Sequence, residues 1–137
     1  MADTAPIGVL DASALIALVY DETGVQKVRN IVARGALISS VNWAEVLSDM
    51  AERGESSDVA APRVTRLVAA VGSLTIVPFE HHQAVEVARL RPLTRSLGVS
   101  LADRACLGLA RLRRLPAFTT DRLWRTLHLP IRVELIR

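Results

Sequence analysis

The 137-residue sequence predicts an α/β fold in which helices cover both faces of a mostly parallel β-sheet. Short apolar runs alternate along the chain with longer segments whose apolar residues recur at helical spacing. This alternation is typical of parallel sheets, because each parallel connection needs a crossover and the crossover is usually a helix. Half of the residues are hydrophobic, as expected for a sheet that is buried on both faces. The length fits one domain spanning residues 1–137.

The first half of the chain contains two predicted strands and four predicted helices. Gly54 and Gly72 follow two of the helical segments and favour helix termination, and Pro62 lies in the first turns of the fourth, where proline is tolerated. The predicted elements are a strand at 7–10, helices at 12–19 and 24–33, a strand at 36–39, and helices at 42–52 and 57–71.

The second half repeats the pattern with three further strands. Pro92 and Gly98 favour a loop between two helical segments. The predicted elements are a strand at 74–77, a helix at 80–90, a loop at 91–98, a helix at 101–112, a strand at 117–119, a short helix at 122–127 and a strand at 131–136.

Composition excludes two classes of protein. Cys106 is the single cysteine, so a disulfide-stabilised secreted scaffold is excluded. The longest apolar stretch, residues 7–20, is interrupted by Asp11 and Ser13 and is shorter than the roughly 20 residues of a membrane-spanning helix. Residues 1–4 lack the positive start of a signal peptide. We therefore expect a soluble cytoplasmic protein without a membrane partner.

The basic residues are almost all arginines. Lys and Arg together number 17 against 14 Asp and Glu, and Lys27 is the only lysine. Arginine binds phosphate through two parallel hydrogen bonds and stacks on bases, which admits nucleic acid as a partner. A coding bias would give the same composition. Arg111, Arg113 and Arg114 have a simpler interpretation as the solvated end of a helix.

Four acidic residues lie at the ends of predicted strands or at the starts of predicted helices. Asp11 and Asp121 follow predicted strands, and Glu45 and Asp103 lie in the first turns of predicted helices. In open α/β sheets, ligands bind outside the carboxyl ends of the strands, where the following helices also begin. Three or four carboxylates that converge there would repel one another unless a cation such as Mg²⁺ or Mn²⁺ is bound.

Each acid taken alone has a structural interpretation as a helix cap. Asp11 and Asp121 could cap the helices that follow them, and Asn42-x-x-Glu45 and Ser100-x-x-Asp103 resemble capping boxes. Positive helix ends keep carboxylates ionised, as metal ligands must be, but they also oppose a cation. The sequence leaves this balance open.

Polar neighbours of the acids also allow two interpretations. Ser13, Thr119 and Thr120 could support the acids or orient metal-bound water, or could form ordinary local bonds to the backbone. The three histidines lack a paired partner in the sequence, so we expect surface or structural roles for them; they are His81, His82 and His128.

Four segments resemble the motifs of PIN-domain nucleases in order and spacing over nearly the whole chain. The small size also resembles that of the VapC-like toxins of bacterial toxin–antitoxin pairs. The segments are VLDASAL at residues 9–15, NWAEV at 42–46, SLADRACL at 100–107 and TTD at 119–121.

The resemblance implies a three-layer α/β/α sandwich with an acidic pocket. It also implies an endoribonuclease that depends on Mg²⁺ or Mn²⁺ and cleaves structured RNA. It also implies a cognate antitoxin and a homodimer. By position, Asp11 and Asp103 resemble the direct metal ligands, and Glu45 and Asp121 resemble supporting ligands. The alternative is a PIN-like module that binds RNA or protein without catalysis.

The candidate RNA contacts are arginines close to the motifs. Trp43 and Trp124 are candidates for base stacking, with Trp43 the more suited to burial in the core. Arginines that flank the predicted loop or directly follow a motif acid are candidates for phosphate contact; they are Arg91, Arg95, Arg104 and Arg122.

Overall fold

A computed structural model describes residues 5–137 and contains one five-stranded sheet. The strand order is β3-β2-β1-β4-β5, and all four neighbouring pairs are parallel. The predicted α/β class with a parallel sheet is therefore confirmed. The strands are β1 (Val9–Leu10), β2 (Ala36–Ser39), β3 (Leu74–Val77), β4 (Ala117–Thr119) and β5 (Val133–Leu135).

Within residues 5–137, six α-helices connect the strands. Two short 3-10 helices, Arg95–Leu97 and Arg122–Thr126, follow the fifth helix and the fourth strand. The α-helices are α1 (Ala12–Val19), α2 (Val25–Arg34), α3 (Ser40–Glu52), α4 (Ser57–Val71), α5 (His81–Thr94) and α6 (Leu101–Arg113).

The core consists of two hydrophobic clusters, one on each face of the sheet. Leu10 and Ile38 point into the cluster that includes residues of α1 to α4, whereas Val9 and Leu37 point into the cluster formed with α5 and α6. Neighbouring residues of a strand face opposite sides, so both residues of β1 are fully buried. The three-layer α/β/α arrangement follows from this two-sided burial.

Helix α5 extends further than the sequence predicts. The predicted helix ended at residue 90 and a loop covered 91–98, but α5 continues through Pro92 to Thr94. Proline in the last turn removes one helical hydrogen bond. Burial of Leu90 and Thr94 supports the extra turn, and the Thr94 hydroxyl donates to the Leu90 carbonyl at 3.0 Å. The chain turns only at Gly98, whose φ of 66° is left-handed.

Helix α3 begins two residues earlier than predicted, at Ser40. The buried Ser39 is its N-cap and accepts a hydrogen bond from the backbone N–H of Val41. The capping-box interpretation of Asn42 and Glu45 is therefore wrong, because both residues lie inside the helix.

The two tryptophans occupy environments opposite to those predicted. Trp124 is 1% exposed and packs in the cluster beneath α6, so it cannot stack on a base. Trp43 is only half-buried and lines an apolar groove with Ile76. Trp124 follows the apolar strand β4 within a short 3-10 helix, and this close return to the sheet buries its ring.

The sequence also predicted that the chain has no membrane-spanning helix and no signal peptide. Within residues 5–137, every helix is too short or too polar to cross a membrane. Residues 1–4, where we noted the absence of a positively charged signal-peptide start, lie outside the described residues.

Candidate active site

The site lies where the strand order of the sheet reverses direction. Strands β2 and β3 lie on one side of β1, and β4 and β5 lie on the other. This topological switch point leaves a crevice beyond the carboxyl ends of β1 and β4. Asp11 directly follows β1, and Thr120 and Asp121 directly follow β4, so the fold brings these distant segments to one place.

A pocket of about 380 Å³ occupies this crevice, and all four acids predicted from the sequence line it. Asp11 and Asp121 reach it from the strand ends, Glu45 from α3 and Asp103 from the first turn of α6. The complete lining is Asp11, Ala12, Ser13, Glu45, Asp103, Thr120 and Asp121.

Three of the four acids are helix caps as well as pocket residues. Asp11 is the N-cap of α1 and accepts from the backbone N–H of Ala14 at 2.9 Å. Asp121 caps the 3-10 helix after β4 and accepts from Leu123 N–H. Asp103 forms a capping box with Ser100 at the start of α6. Capping fixes the orientation of each carboxylate, so the structural and functional interpretations are compatible.

The buried Asp11 carboxylate is held by two hydroxyls. Thr119 Oγ1 donates to Asp11 Oδ2 at 2.5 Å, and Ser13 Oγ donates to Asp11 Oδ1 at 2.7 Å. Each hydroxyl in turn accepts a backbone N–H from the segment after β4: Asp121 N–H donates to Thr119, and Thr120 N–H donates to Ser13. The two strand ends are therefore locked together around Asp11. The side chain of Thr120 lines the pocket.

The negative charges of the pocket are not neutralised by cationic side chains. Burial and, to a smaller extent, the nearby Asp103 raise the pKa of Asp11 from 3.8 to about 6, against the opposing effect of its hydrogen bonds. Partial desolvation and the charge of Asp103 also raise the pKa of Glu45. Within residues 5–137, every ion pair involves residues other than these acids.

The donor chemistry of the pocket fits a hard divalent cation. In the described part of the chain, one carboxylate oxygen each of Glu45, Asp103 and Asp121 accepts no hydrogen bond. These oxygens are the ligands that Mg²⁺ and Mn²⁺ prefer. Among residues 5–137, no three acidic, histidine or cysteine side chains are already close enough to enclose an ion. The four acids line the same pocket, but their side chains are further apart than the ligands of a single bound ion would be.

Asn42 is a positioning residue that the sequence analysis missed. Its side chain is 1% exposed, and its amide donates to Glu45 Oε1 and to the carbonyl of Ala102, both at 3.0 Å. It thereby joins α3 to the first turn of α6, next to Asp103. The sequence signal was available in its position three residues before Glu45, but we attributed that spacing to a helix cap.

The candidate arginines fall into two groups. Arg91, Arg95 and Arg122 are exposed, so their guanidinium groups are accessible to a phosphate. Arg104 is turned toward α5, where it donates to the carbonyl of Val87 at 3.0 Å. Burial and the nearby Arg91 lower the pKa of Arg104.

The three histidines lie away from the pocket lining. His81 and His82 begin α5 and His128 follows the second 3-10 helix, and all three are exposed. Their positions agree with the expected surface roles.

Comparison with known protein families decides the assignment. The sequence profile of the PIN domain matches residues 8–127, which include all four pocket acids. The chain belongs to the PIN domain family. The resemblance found in the motifs is thereby confirmed. No curated protein matches the chain.

Solved structures share this PIN fold over almost the whole chain. DNA-bound VapBC from Salmonella typhimurium has a TM-score of 0.74 and 18% identity, covering 97% of this chain and 100% of that one. VapBC-5 from Mycobacterium tuberculosis, a member of the VapBC family of toxin–antitoxin systems, has a TM-score of 0.57 and 25% identity, covering 97% and 99%. FitAcB from Neisseria gonorrhoeae has a TM-score of 0.66 and 19% identity, covering 93% and 96%.

Proposed function

We propose that this PIN domain is a metal-dependent endoribonuclease that hydrolyses phosphodiester bonds in structured RNA and acts as the toxin of a toxin–antitoxin pair. One observation carries the proposal: four carboxylates that form no ion pair within residues 5–137 line one pocket at the switch point of the sheet. Such a pocket is electrostatically unfavourable when empty and favourable when it holds a divalent cation.

Asp11 and Asp103 would hold Mg²⁺, or Mn²⁺ as a substitute, and Glu45 and Asp121 would support it. The bound cation supplies a water of lowered pKa and charge neutralisation at the scissile phosphate. Ser13 and Thr119 fix the orientation of the Asp11 carboxylate through the hydrogen bonds described above. The helix-capping bonds of Asp103 and Asp121 similarly hold these side chains, which preorganises the oxygens that face the pocket.

RNA phosphates would be held by exposed arginines around the pocket. Arg122 directly follows the pocket acid Asp121, and Arg91 and Arg95 lie at the end of α5 and in the following 3-10 helix. With Trp124 buried, few aromatic side chains are available for stacking on bases. RNA shape therefore contributes more to target selection than base recognition does.

The toxin role is supported by the structural neighbours. VapBC-5 of Mycobacterium tuberculosis belongs to a toxin–antitoxin family and shares 25% of its residues with this chain. From the resemblance of its motifs to those of VapC-like toxins, we further propose that the chain acts in the cytoplasm, forms a homodimer and binds a cognate antitoxin. A PIN-like binding module without catalysis is the alternative, and it predicts metal or RNA binding without turnover.

RNA cleavage by the purified chain tests the proposal. We expect fragments to form with Mg²⁺ and to disappear with a chelator, and Asp103→Asn to lower the rate at least about 100-fold because a direct metal ligand is lost. Asp58→Asn is the matched control, since Asp58 is an exposed acid in the first turn of α4. Its rate should equal that of the parent.

Equal cleavage by the parent and by Asp103→Asn would contradict the metal assignment. RNA binding without cleavage at any Mg²⁺ or Mn²⁺ concentration would favour the non-catalytic module. Expression of the chain alone should arrest growth, and Asp103→Asn should not. Normal growth with soluble, active parent protein would contradict the toxin role while leaving the nuclease intact.

The Asn42→Ala variant tests the positioning of Glu45. The change removes two hydrogen bonds of a buried amide, so we expect a loss of about 1–3 kcal/mol in unfolding free energy. We also expect about tenfold slower cleavage at saturating RNA with little change in KM, because RNA contacts remain. The control is Gln26→Ala, which removes an exposed amide on α2. An unchanged kcat in Asn42→Ala would rule out the positioning role.

A further inference from the structure

A basic groove lies at the edge of the sheet opposite to the acidic pocket. Two adjoining depressions, of about 410 and 320 Å³, share Pro116 and Arg132. Pro116 directly precedes β4, Arg132 directly precedes β5, and Ile7 lies two residues before β1. The groove therefore runs along the amino ends of the strands, whereas the pocket lies at their carboxyl ends.

The groove is strongly positive. Five basic side chains and one acidic side chain, Glu134, line it. Glu134 pairs with Arg132 at 3.2 Å, and the buried Glu86 pairs with Arg111 at 3.1 Å. The basic side chains are Lys27, Arg34, Arg111, Arg114 and Arg132. Arg34 and Arg114 are exposed and form no ion pair within residues 5–137. The groove thus retains an excess of positive charge.

Arg114 provides an independent observation. It follows the last residue of α6 in a left-handed conformation, with φ 56° and ψ 44°. Glycine or asparagine adopts this conformation at lower cost, so an arginine here is backbone-unfavourable. The C-terminal dipole of α6 also favours a cation at this position. Residues held in such conformations cluster at functional sites, which points to a use for the guanidinium group.

We propose that this groove binds the phosphate backbone of RNA whose scissile bond lies at the acidic pocket, an inference that rests on the proposed ribonuclease function. Phosphate contacts supply most of the affinity of proteins for nucleic acid, and the groove adds such contacts to those of the arginines around the pocket. Ile7 lines the groove two residues before β1, and Asp11 lines the pocket directly after β1, so the two sites lie at opposite ends of the same short strand. A folded RNA can bridge this span around the edge of the domain.

The lining favours RNA over a protein partner. Stable protein interfaces are centred on large apolar or aromatic anchors. The aromatic residue of the groove, Phe118, is only 4% exposed, and Ile31 is also 4% exposed. The other apolar lining is small or half-buried, as at Pro116 and Ile131. The exposed charged groups are mostly guanidinium groups, which bind phosphate through paired hydrogen bonds. The inference therefore concerns backbone contact, without recognition of bases.

Binding measurements in the Asp103→Asn background test the groove separately from cleavage. The probe is a fluorescein-labelled RNA hairpin, titrated with protein in a chelator across a range of KCl concentrations. The groove variant carries Arg34→Gln and Arg132→Gln. The control carries Arg29→Gln and Arg66→Gln, which also removes two exposed charges but lies outside the groove. Arg111 is left unchanged because its partner Glu86 is buried, whereas Arg132 pairs with the partly exposed Glu134.

We expect the groove variant to bind the hairpin at least about tenfold more weakly and its log Kd–log salt slope to fall by about two, one for each phosphate contact. The control should resemble the background protein. Arg114→Asn, which keeps the left-handed backbone, should also weaken binding. This result would support the groove even if the parent chain cleaved no RNA.

Two outcomes would overturn the proposal. The first is unchanged hairpin affinity in the groove variant; if the same variant lost binding of polyglutamate, the groove would be a site for an acidic protein segment. The second is an equal loss in the groove and control variants, since binding would then follow net charge alone. Circular dichroism of all variants verifies that they are folded.

Discussion

The Asp11→Asn variant should be more stable than the parent chain at pH 7 without divalent cations, yet cleave RNA at least about 100-fold more slowly. Burial raises the pKa of Asp11 from 3.8 to about 6. Above pH 6 the folded chain therefore holds an unfavourable carboxylate, and the rise in pKa corresponds to a cost of about 3 kcal/mol. Asparagine removes this charge and keeps the oxygen that caps α1.

The net gain in stability should be smaller than the electrostatic cost. Thr119 is fully buried and donates its hydroxyl hydrogen to Asp11, so an asparagine amide facing it would leave that hydrogen without its acceptor. We expect the variant to gain about 1–2 kcal/mol in urea unfolding at pH 7. The effect of Asp11→Asn on the cleavage rate should exceed its effect on stability, because the substitution removes a direct ligand of the proposed metal.

The stability difference between the parent and Asp11→Asn should depend on pH. Between pH 3.8 and about 6, the folded parent binds more protons at Asp11 than the unfolded chain does, so its stability falls as the pH rises through this range. Asparagine does not titrate, and its advantage should therefore shrink as the pH is lowered toward 4. An Asp11→Asn variant that is less stable than the parent at pH 7 would contradict the electrostatic account of this pocket.

Removing both arginines that pair with Glu86 should destabilise the chain by about 3–5 kcal/mol. Glu86 lies on α5 and is 1% exposed, and its carboxylate accepts from Arg89 at 2.8 Å and from Arg111 of α6 at 3.1 Å. The Arg89→Ala/Arg111→Ala variant leaves this carboxylate buried and unpaired. Either single substitution should cost less, because one partner remains and both arginines are partly exposed.

A third substitution separates the charge from the packing. Adding Glu86→Met to the double variant replaces the unpaired carboxylate with an apolar side chain of similar volume, which should restore most of the lost stability. The measurement is the urea-unfolding free energy of the four variants and the parent. If the triple variant were as unstable as the double variant, the packing of the arginines, and not the charge of Glu86, would link α5 to α6.

Much of the fold could be predicted because local signals and tertiary packing agree. Residues 36–39, 57–71, 74–77 and 117–119 were predicted with the bounds that the structure shows, since the apolar pattern marks all four and Gly72 marks the end of the helix. The end of α5 could not be predicted. There, the local tendency of Pro92 to end a helix is outweighed by burial of Thr94, which depends on distant residues.

The residues of the site were easier to predict than their geometry. The carboxyl ends of parallel strands meet at one edge, so Asp11 and Asp121 could be placed together from sequence. The roles of Thr119 and Asn42 depend on hydrogen bonds that join segments 108 and 60 residues apart. No local pattern encodes such contacts, and the spacing of Asn42 and Glu45 suggested a cap that does not form.

Isothermal titration of Mn²⁺ into the chain tests the pocket most directly. The parent and the Asp58→Asn control should bind the ion alike, whereas Asp11→Asn and Asp103→Asn should each bind at least about tenfold more weakly, because each lacks one proposed ligand. Affinities in both pocket variants equal to that of the parent would show that these carboxylates do not hold the cation.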